Sequence, residues 1–130
     1  MDDSELTYKI RGGILTVYYE LGPGLLESIY HEALFIELKN RGLNVLVEVD
    51  VPVYYKGEKL KSCFRLDLLV ENKIIIELKS VKELSDLHHK QLLTYMKITN
   101  MSLGFLVNFN SSNIQNNIFR KVNNYVSSRI

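Results

Sequence analysis

The chain has 130 residues, of which 46% are hydrophobic and 24% charged, so we expect a single domain over residues 1–130 with one ordinary core. Its one cysteine, Cys63, excludes an internal disulfide and a multi-cysteine zinc site, and it suits a reducing cytoplasm. The formal net charge of +1 gives no overall electrostatic case for nucleic-acid binding, and no apolar stretch reaches the ~18 residues that a membrane-spanning helix needs.

Apolar residues spaced by three and four predict a first helix over about residues 4–21. Gly12 and Gly13 lie in its middle, where each glycine costs about 1 kcal/mol relative to alanine. Such a pair indicates either a kink in the helix or close packing against a neighbouring element. The Gly22-Pro23-Gly24 segment then ends the helix.

We expect a second helix over about residues 23–41, because proline is well tolerated in the first turn of a helix. Gly42 is predicted to end it in the left-handed conformation. Apolar residues at helical spacing predict a broad buried face, made of Leu26, Ile29, Ala33, Ile36 and Leu38.

The hydrophobic period changes to two after Asn44, and alternating valines up to Val53 predict a half-buried strand. Later segments predict two further strands, a helix and a fourth strand, at about residues 60–70, 74–80, 86–99 and 101–108. Residues 118–122 form either a short strand or a helix. The order α-α-β-β-β-α-β predicts an α/β (α+β) fold, with a mixed four-stranded sheet flanked by helices.

Asp67, Glu77 and Lys79 form the first candidate site, on the second and third predicted strands. Because side chains alternate along a strand, Glu77 and Lys79 share one face, and Asp67 is expected to share a face with Leu69. If residues 71–73 form the turn, Asp67 stands opposite Glu77, with Cβ atoms ~4.5–5.5 Å apart. A two-residue turn would place Asp67 on the wrong face.

Two carboxylates this close repel each other in an apolar sheet unless a positive charge compensates them. One interpretation is a divalent cation held by both, with Lys79 orienting a water or stabilising a phosphoryl oxygen. The other is a cross-strand salt bridge in which Lys79 or Arg65 neutralises the acids. The spacing alone slightly favours the salt bridge.

Polar residues on two predicted helices extend this site. His88, Gln91 and Tyr95 share one helical face, where Gln91 could hold Lys79 or a phosphate and Tyr95 could donate to one. Taken alone, that pattern favours a solvent-facing stripe. Glu27 lies in a first helical turn, where the helix dipole is a sufficient reason for an acid. The functional alternative is a third carboxylate aimed at the same metal.

Basic residues are concentrated in the middle of the chain, with acidic residues partly offsetting them: Lys56, Lys59, Lys61, Arg65, Lys73, Lys79 and Lys82. The simplest interpretation is a solvated hairpin of mixed charge. Tyr54 and Tyr55 at the end of the first strand could stack on nucleic-acid bases, although tyrosine at a strand end is common in ordinary packing.

Several blocks of the sequence together resemble a known family. Gly24, Glu27 and Tyr30 match the GxxExxY motif, which names a family of small bacterial and archaeal proteins in the PD-(D/E)XK nuclease superfamily. Other blocks similar to that family follow in the same order, at residues 52–57, 65–70, 77–79, 91–95 and 105–109. The resemblance covers nearly the whole chain and implies a PD-(D/E)XK restriction-endonuclease-like core.

The resemblance implies functional roles for six residues. It implies a catalytic site made of Lys79, Asp67, Glu77, Gln91 and Tyr95, and a metal site for Mg²⁺ or Mn²⁺ made of Asp67, Glu77 and Glu27. Lys79 matches the superfamily's catalytic lysine, and the Gln–Tyr pair matches a QxxxY helix motif of related nucleases. Family members often carry a histidine in the helix before the Gly-Pro-Gly break, where this chain has Tyr18.

Two functions follow as expectations. The first is a cytoplasmic, metal-dependent nuclease that hydrolyses phosphodiester bonds in DNA or RNA, with DNA preferred, no membrane partner, and a homodimer as one option for its assembly. The second is a nucleic-acid- or partner-binding module that keeps the nuclease fold with little or no turnover. The near-neutral charge mildly favours the second, because a free-standing nuclease usually carries a clearer basic groove.

Overall fold

The computed structural model describes residues 1–124, and within them it contains three α-helices and five β-strands. The helices are α1 (Asp3–Leu21), α2 (Glu27–Asn40) and α3 (Asp86–Thr99), and the strands are β1 (Val45–Tyr55), β2 (Glu58–Val70), β3 (Ile74–Lys79), β4 (Leu103–Asn108) and β5 (Ile118–Val122). The strands form one mixed sheet in chain order, with β3 and β4 parallel and the other neighbours antiparallel. The predicted α/β (α+β) class is confirmed.

The fifth strand corrects the predicted four-stranded sheet. Residues 118–122, for which the sequence allowed a strand or a helix, pair with β4 from Val107–Ile118 to Leu103–Val122. Ile118 packs in the core on one face of the sheet and Phe119 packs on the other. A five-residue segment is too short for its hydrophobic period to distinguish strand from helix, so pairing with β4 decides its conformation.

The start of α2 differs from the prediction, because the helix begins at Glu27 and not at Pro23. Gly22 and Gly24 have φ angles of +71° and +94°, which favour glycine and exclude a helical start there. The Tyr30 hydroxyl donates to the Gly22 carbonyl at 2.5 Å and accepts from the Leu25 amide at 3.2 Å. Tyr30 thereby holds this turn in place.

The buried face of α2 also differs from the prediction. Tyr30, Leu34 and Leu38 are buried, whereas Leu26 is 73% exposed and Ile36 is 58% exposed. The reason is close packing against α1, where a Cβ added to Gly13 would lie 2.7 Å from Leu38 Cδ2. The glycine pair of α1 therefore serves close packing, which is one of its two predicted roles. Gly42, with a φ of +83°, follows α2 in the predicted left-handed conformation.

The sheet is covered on both faces by helices. Leu68, Val70 and Leu78 contribute to the core on the α1 and α2 side. Leu66 and Leu69 contribute to the core on the α3 side. Since Leu66 and Leu69 share a side, the alternation along β2 is interrupted at Asp67 and Leu68, and the expectation that Asp67 follows the parity of Leu69 is not met.

Strand β1, which pairs with β2, shows the same interruption of side-chain alternation opposite Asp67 and Leu68. Val47 lies beside Phe35 of α2, whereas Val49 packs on the α3 side. Glu48, between the two valines, has a φ of +50°, which is uncommon outside glycine. Beyond this level the pairing of β2 with β3 has ended, so residues 49–66 form a two-stranded ribbon, here called the β1–β2 arm. Within residues 1–124, no helix combines the length and apolar character needed to cross a membrane.

Candidate metal centre

The turn between β2 and β3 sets the register of the candidate site. Val70 pairs with Ile74, and the pairing continues to Leu68 and Ile76, where it ends. The register is the one expected for a three-residue turn. The next positions along the two strands are Asp67 and Glu77, so these two acids lie where the strands separate.

The two carboxylates bridge the gap between the separating strands. The Asp67 amide donates to Glu77 Oε2 at 2.9 Å, and the Leu78 amide donates to Asp67 Oδ2 at 2.8 Å. These side-chain acceptors replace the carbonyl oxygens that a continued ladder would supply. The position of each carboxylate is therefore fixed by the backbone of the neighbouring strand.

Helix α2 brings two more side chains to the same place. His31 Nε2 lies 3.6 Å from Glu27 Oε1, one helical turn earlier, and 3.5 Å from Asp67 Oδ2. One ligand atom from each of these three residues can be chosen so that all lie within 4.8 Å of one another. The structure thus brings Glu27 to Asp67, as the resemblance implied, and adds a histidine.

His31 is the site residue that sequence reasoning missed. The available signal was its position four residues after Glu27, which places both side chains on one helical face. Tyr18 occupies the position at which members of the resembled family often carry a histidine, and it belongs to the core of the α1 and α2 side. Its hydroxyl donates a hydrogen bond to the Ser111 carbonyl.

The site raises the proton affinity of two of its members. Burial, followed by the charge of Asp67, raises the pKa of Glu77 to about 8, although the Asp67 amide, Lys79 and His31 act in the opposite direction. Asp67 is the main cause of a raised pKa at His31, with Glu27 and Glu77 adding to it while burial opposes it. Protons are thus favoured where negative charge is crowded and poorly solvated.

The donors present fit a divalent cation. His31 Nε2 is buried and has no hydrogen-bond partner in the described part of the chain, although a buried ring nitrogen normally has one. It faces carboxylate oxygens of Glu27 and Asp67 at distances too long for strong hydrogen bonds. Carboxylate oxygens suit Mg²⁺ and Mn²⁺, and an imidazole nitrogen suits transition metals better than Mg²⁺.

The remaining predicted residues occupy different surroundings. Lys79 is partly exposed at the end of β3. Tyr95 is buried, and its ring centroid lies 4.7 Å from that of Phe64. Burial raises the pKa of Tyr95, and the charges of Glu77 and Asp67 add to this effect. Gln91 is exposed.

His88 has a structural role at the start of α3. Its Nδ1 accepts a hydrogen bond from the Ser85 amide at 3.1 Å, and the Ser85 hydroxyl accepts one from the His88 amide at 3.3 Å. This reciprocal cap satisfies backbone groups at the helix start. His88 therefore does not join Gln91 and Tyr95 in a common polar face directed at the carboxylates.

Comparison with known proteins gives a result consistent with this geometry. Residues 4–121 match a family model described as the PD-(D/E)XK nuclease superfamily. No curated protein and no solved structure is significantly similar to the chain. The family match spans α2, β2 and β3, which supply the side chains of the site. The chain therefore belongs to the PD-(D/E)XK nuclease superfamily.

Proposed function

We propose that this protein is a metal-dependent nuclease that hydrolyses phosphodiester bonds in DNA or RNA, and that it belongs to the GxxExxY group of its superfamily. The observation that carries the proposal is the junction of β2, β3 and α2. There, Asp67 and Glu77 meet at the separating strands, and His31 presents a buried nitrogen without a hydrogen-bond partner among residues 1–124.

Four residues would hold the metal, with Glu27, His31 and Asp67 forming the compact group and Glu77 adjoining Asp67. Mg²⁺ or Mn²⁺, when bound, would polarise the scissile phosphate and lower the pKa of a water. Asp67 and Glu77 each commit one oxygen to a backbone amide, and the second oxygen accepts no hydrogen bond from residues 1–124. Their free oxygens are available for a cation.

Lys79 would stabilise negative charge on the phosphoryl oxygens. It follows Glu77 by two residues on β3, so both side chains extend from one side of the strand. Its ammonium is close enough to lower the pKa of Glu77, and it forms no ion pair within residues 1–124. A partly exposed cation beside a buried carboxylate is available to an anionic substrate.

Tyr95 and Gln91 would act on the substrate from α3. Tyr95 packs in the same core as Ile75, whose face of β3 Glu77 shares, and its phenol can donate to a phosphate oxygen. Gln91 is one helical turn earlier on α3 and exposed, so it can reach a nucleic-acid strand bound at the surface beside this helix. As partner we propose nucleic acid, DNA in preference to RNA, bound in the cytoplasm by a monomer or a homodimer.

The test is cleavage of a panel of labelled single- and double-stranded DNA and RNA with Mg²⁺, Mn²⁺ or EDTA. We expect cleavage with a divalent metal, none with EDTA, and a loss of at least about 100-fold for Asp67→Asn and for Lys79→Gln. Asparagine keeps the oxygen that accepts from Leu78, so the fold should survive.

Asp3→Asn is the matched control, because Asp3 lies on α1 beside the β2–β3 turn, and its activity should equal wild type. Cleavage that persists in EDTA, or in both site variants, would refute the proposal. If calorimetry also found no binding of Mg²⁺ or Mn²⁺ at millimolar concentrations, the non-catalytic binding module would replace the nuclease.

A further inference from the structure

The β1–β2 arm extends from the candidate metal centre to a tip that no other strand supports. Asp67 follows Glu58 by nine positions along β2, which corresponds to about 30 Å at ~3.3 Å per residue. The connection at the tip is the two-residue turn Lys56-Gly57, with φ angles of +50° and +82°, a conformation that suits a tight hairpin. The arm is thus a defined projection that starts at the site.

The tip combines exposed aromatic rings with unpaired positive charge. Tyr54 is 61% exposed and Tyr55 is 62% exposed, although tyrosine rings usually pack when partners are available. Lys56 Nζ lies 5.5 Å from the centroid of the Tyr55 ring. Lys59 and Lys61 are also exposed on β2.

The charge of the tip differs from that of the molecule. Residues 54–61 contain three lysines and one glutamate, a net charge of +2, whereas the whole chain has +1. None of these lysines forms an ion pair within residues 1–124. The arm therefore supplies the local positive charge that the overall composition lacks.

We propose that the tip of the β1–β2 arm binds single-stranded nucleic acid, about 30 Å from the scissile phosphate. Tyr54 and Tyr55 stack on unpaired bases, and Lys56, Lys59 and Lys61 contact phosphates. Unstacked bases are needed because a ring at a hairpin tip can stack only on a base whose face is free. This inference rests on the proposed function in one respect: only a nuclease requires the bound nucleic acid to continue from the arm to the metal centre.

The experiment measures binding and cleavage separately. Binding of a labelled 20-nucleotide oligothymidylate is followed by anisotropy in EDTA, and cleavage of thymidine 5′-(4-nitrophenyl phosphate) is followed with Mn²⁺. The variants are Lys56→Gln/Lys59→Gln/Lys61→Gln, Tyr54→Ala/Tyr55→Ala and Tyr54→Phe/Tyr55→Phe. The control variant is Lys9→Gln/Lys39→Gln/Lys73→Gln. It removes three lysines that lie outside the arm, on α1, α2 and the β2–β3 turn.

We expect the arm lysine variant to lose affinity and to reduce the slope of log affinity against log salt by about 2. The Tyr54→Ala/Tyr55→Ala variant should weaken binding by at least about 30-fold, and the Tyr54→Phe/Tyr55→Phe variant should bind like wild type, because stacking needs the ring and not the hydroxyl. Cleavage of the short substrate should change less than about twofold, since that substrate is too short to reach the tip.

Wild-type affinity in both the arm lysine variant and the tyrosine-to-alanine variant would overturn the inference. An equal loss of affinity in the lysine control would also overturn it. A duplex bound as tightly as the single strand would also overturn it, as would a concentration-dependent dimer lost in the arm variants. If the arm variants lose binding while wild type cleaves no substrate, the arm inference stands and the proposed nuclease fails. If wild type cleaves a substrate and the arm variants bind normally, the proposed nuclease stands and the arm inference fails.

Discussion

Asp67 and Glu77 each accept a hydrogen bond from the neighbouring strand, because the Asp67 amide of β2 donates to Glu77 Oε2 at 2.9 Å and the Leu78 amide of β3 donates to Asp67 Oδ2 at 2.8 Å. The acids are thus part of the backbone scaffold as well as the candidate metal site. Isosteric amides keep the acceptor oxygens, so they separate the charge of each side chain from its structural role.

Glu77→Gln should stabilise the metal-free protein while removing metal binding. Glu77 is 4% exposed, and its pKa of about 8 means that ionisation opposes folding between the unfolded pKa, near 4.5, and pH 8. The stability from protonated Glu77 is complete below about pH 4.5 and is lost as the pH rises through 8.

Urea unfolding in EDTA at pH 5 to 9 measures this effect. We expect wild-type stability to fall toward pH 8, and the variant to be more stable there by on the order of a few kcal/mol. The raised pKa of His31 also lowers stability as the pH rises, so the free energy of unfolding of the variant should still depend on pH, with a smaller slope than in wild type. An equal dependence of the free energy of unfolding on pH in both proteins would show that folding does not raise the pKa of Glu77.

Metal affinity should increase with pH, because Mg²⁺ or Mn²⁺ displaces protons from Glu77 and His31, whose pKa values are both raised. Calorimetry at pH 7 in two buffers with different ionisation enthalpies gives the number of protons released. We expect net release at pH 7 and less release at pH 9. Binding without any proton release at pH 7 would contradict the protonated metal-free site.

His31→Ala should weaken Mn²⁺ binding more than Mg²⁺ binding, by about tenfold or more, because imidazole favours transition metals. Glu27→Gln is the matched comparison, since it removes a carboxylate from the same helical face and should weaken both metals alike. The measurement is the dissociation constant of each metal by calorimetry. Equal losses for both metals in His31→Ala would place the imidazole outside the coordination sphere.

Tyr30→Phe should lower both stability and metal affinity. The hydroxyl makes two hydrogen bonds to the Gly22–Leu25 turn, so its loss should cost about 1–2 kcal/mol, whereas stacking on Phe109, at 4.4 Å between ring centroids, remains. Loosening that turn should also misplace Glu27 at the start of α2.

The control for that prediction is Tyr18→Phe. It removes a hydroxyl that donates to the Ser111 carbonyl and makes no hydrogen bond to the Gly22–Leu25 turn, so it should lower the melting temperature without changing metal affinity. Thermal unfolding and calorimetry on both variants make the comparison. A Tyr30→Phe protein with normal metal affinity would limit Tyr30 to a stabilising role.

The sequence by itself determined the order of the main elements, and it reduced the register of the site to the length of one turn. Apolar periods of two and of three to four residues are local properties, so they predict strands and helices without knowledge of packing. The three-residue turn is also local, with Glu71 and Asn72 both at a φ of +53°, and it places Asp67 at the level of Glu77. These acids were therefore accessible to sequence reasoning.

Tertiary structure decided which side of α2 is buried and hence that His31 belongs to the site. Helix α2 carries apolar residues on more than one of its sides, so only the close packing of Leu38 against Gly13 selects the side that is buried. That choice turns Glu27 and His31 toward Asp67 and leaves Ile36 at the surface. The orientation of a helix depends on contacts distant in sequence, and its local pattern does not contain them.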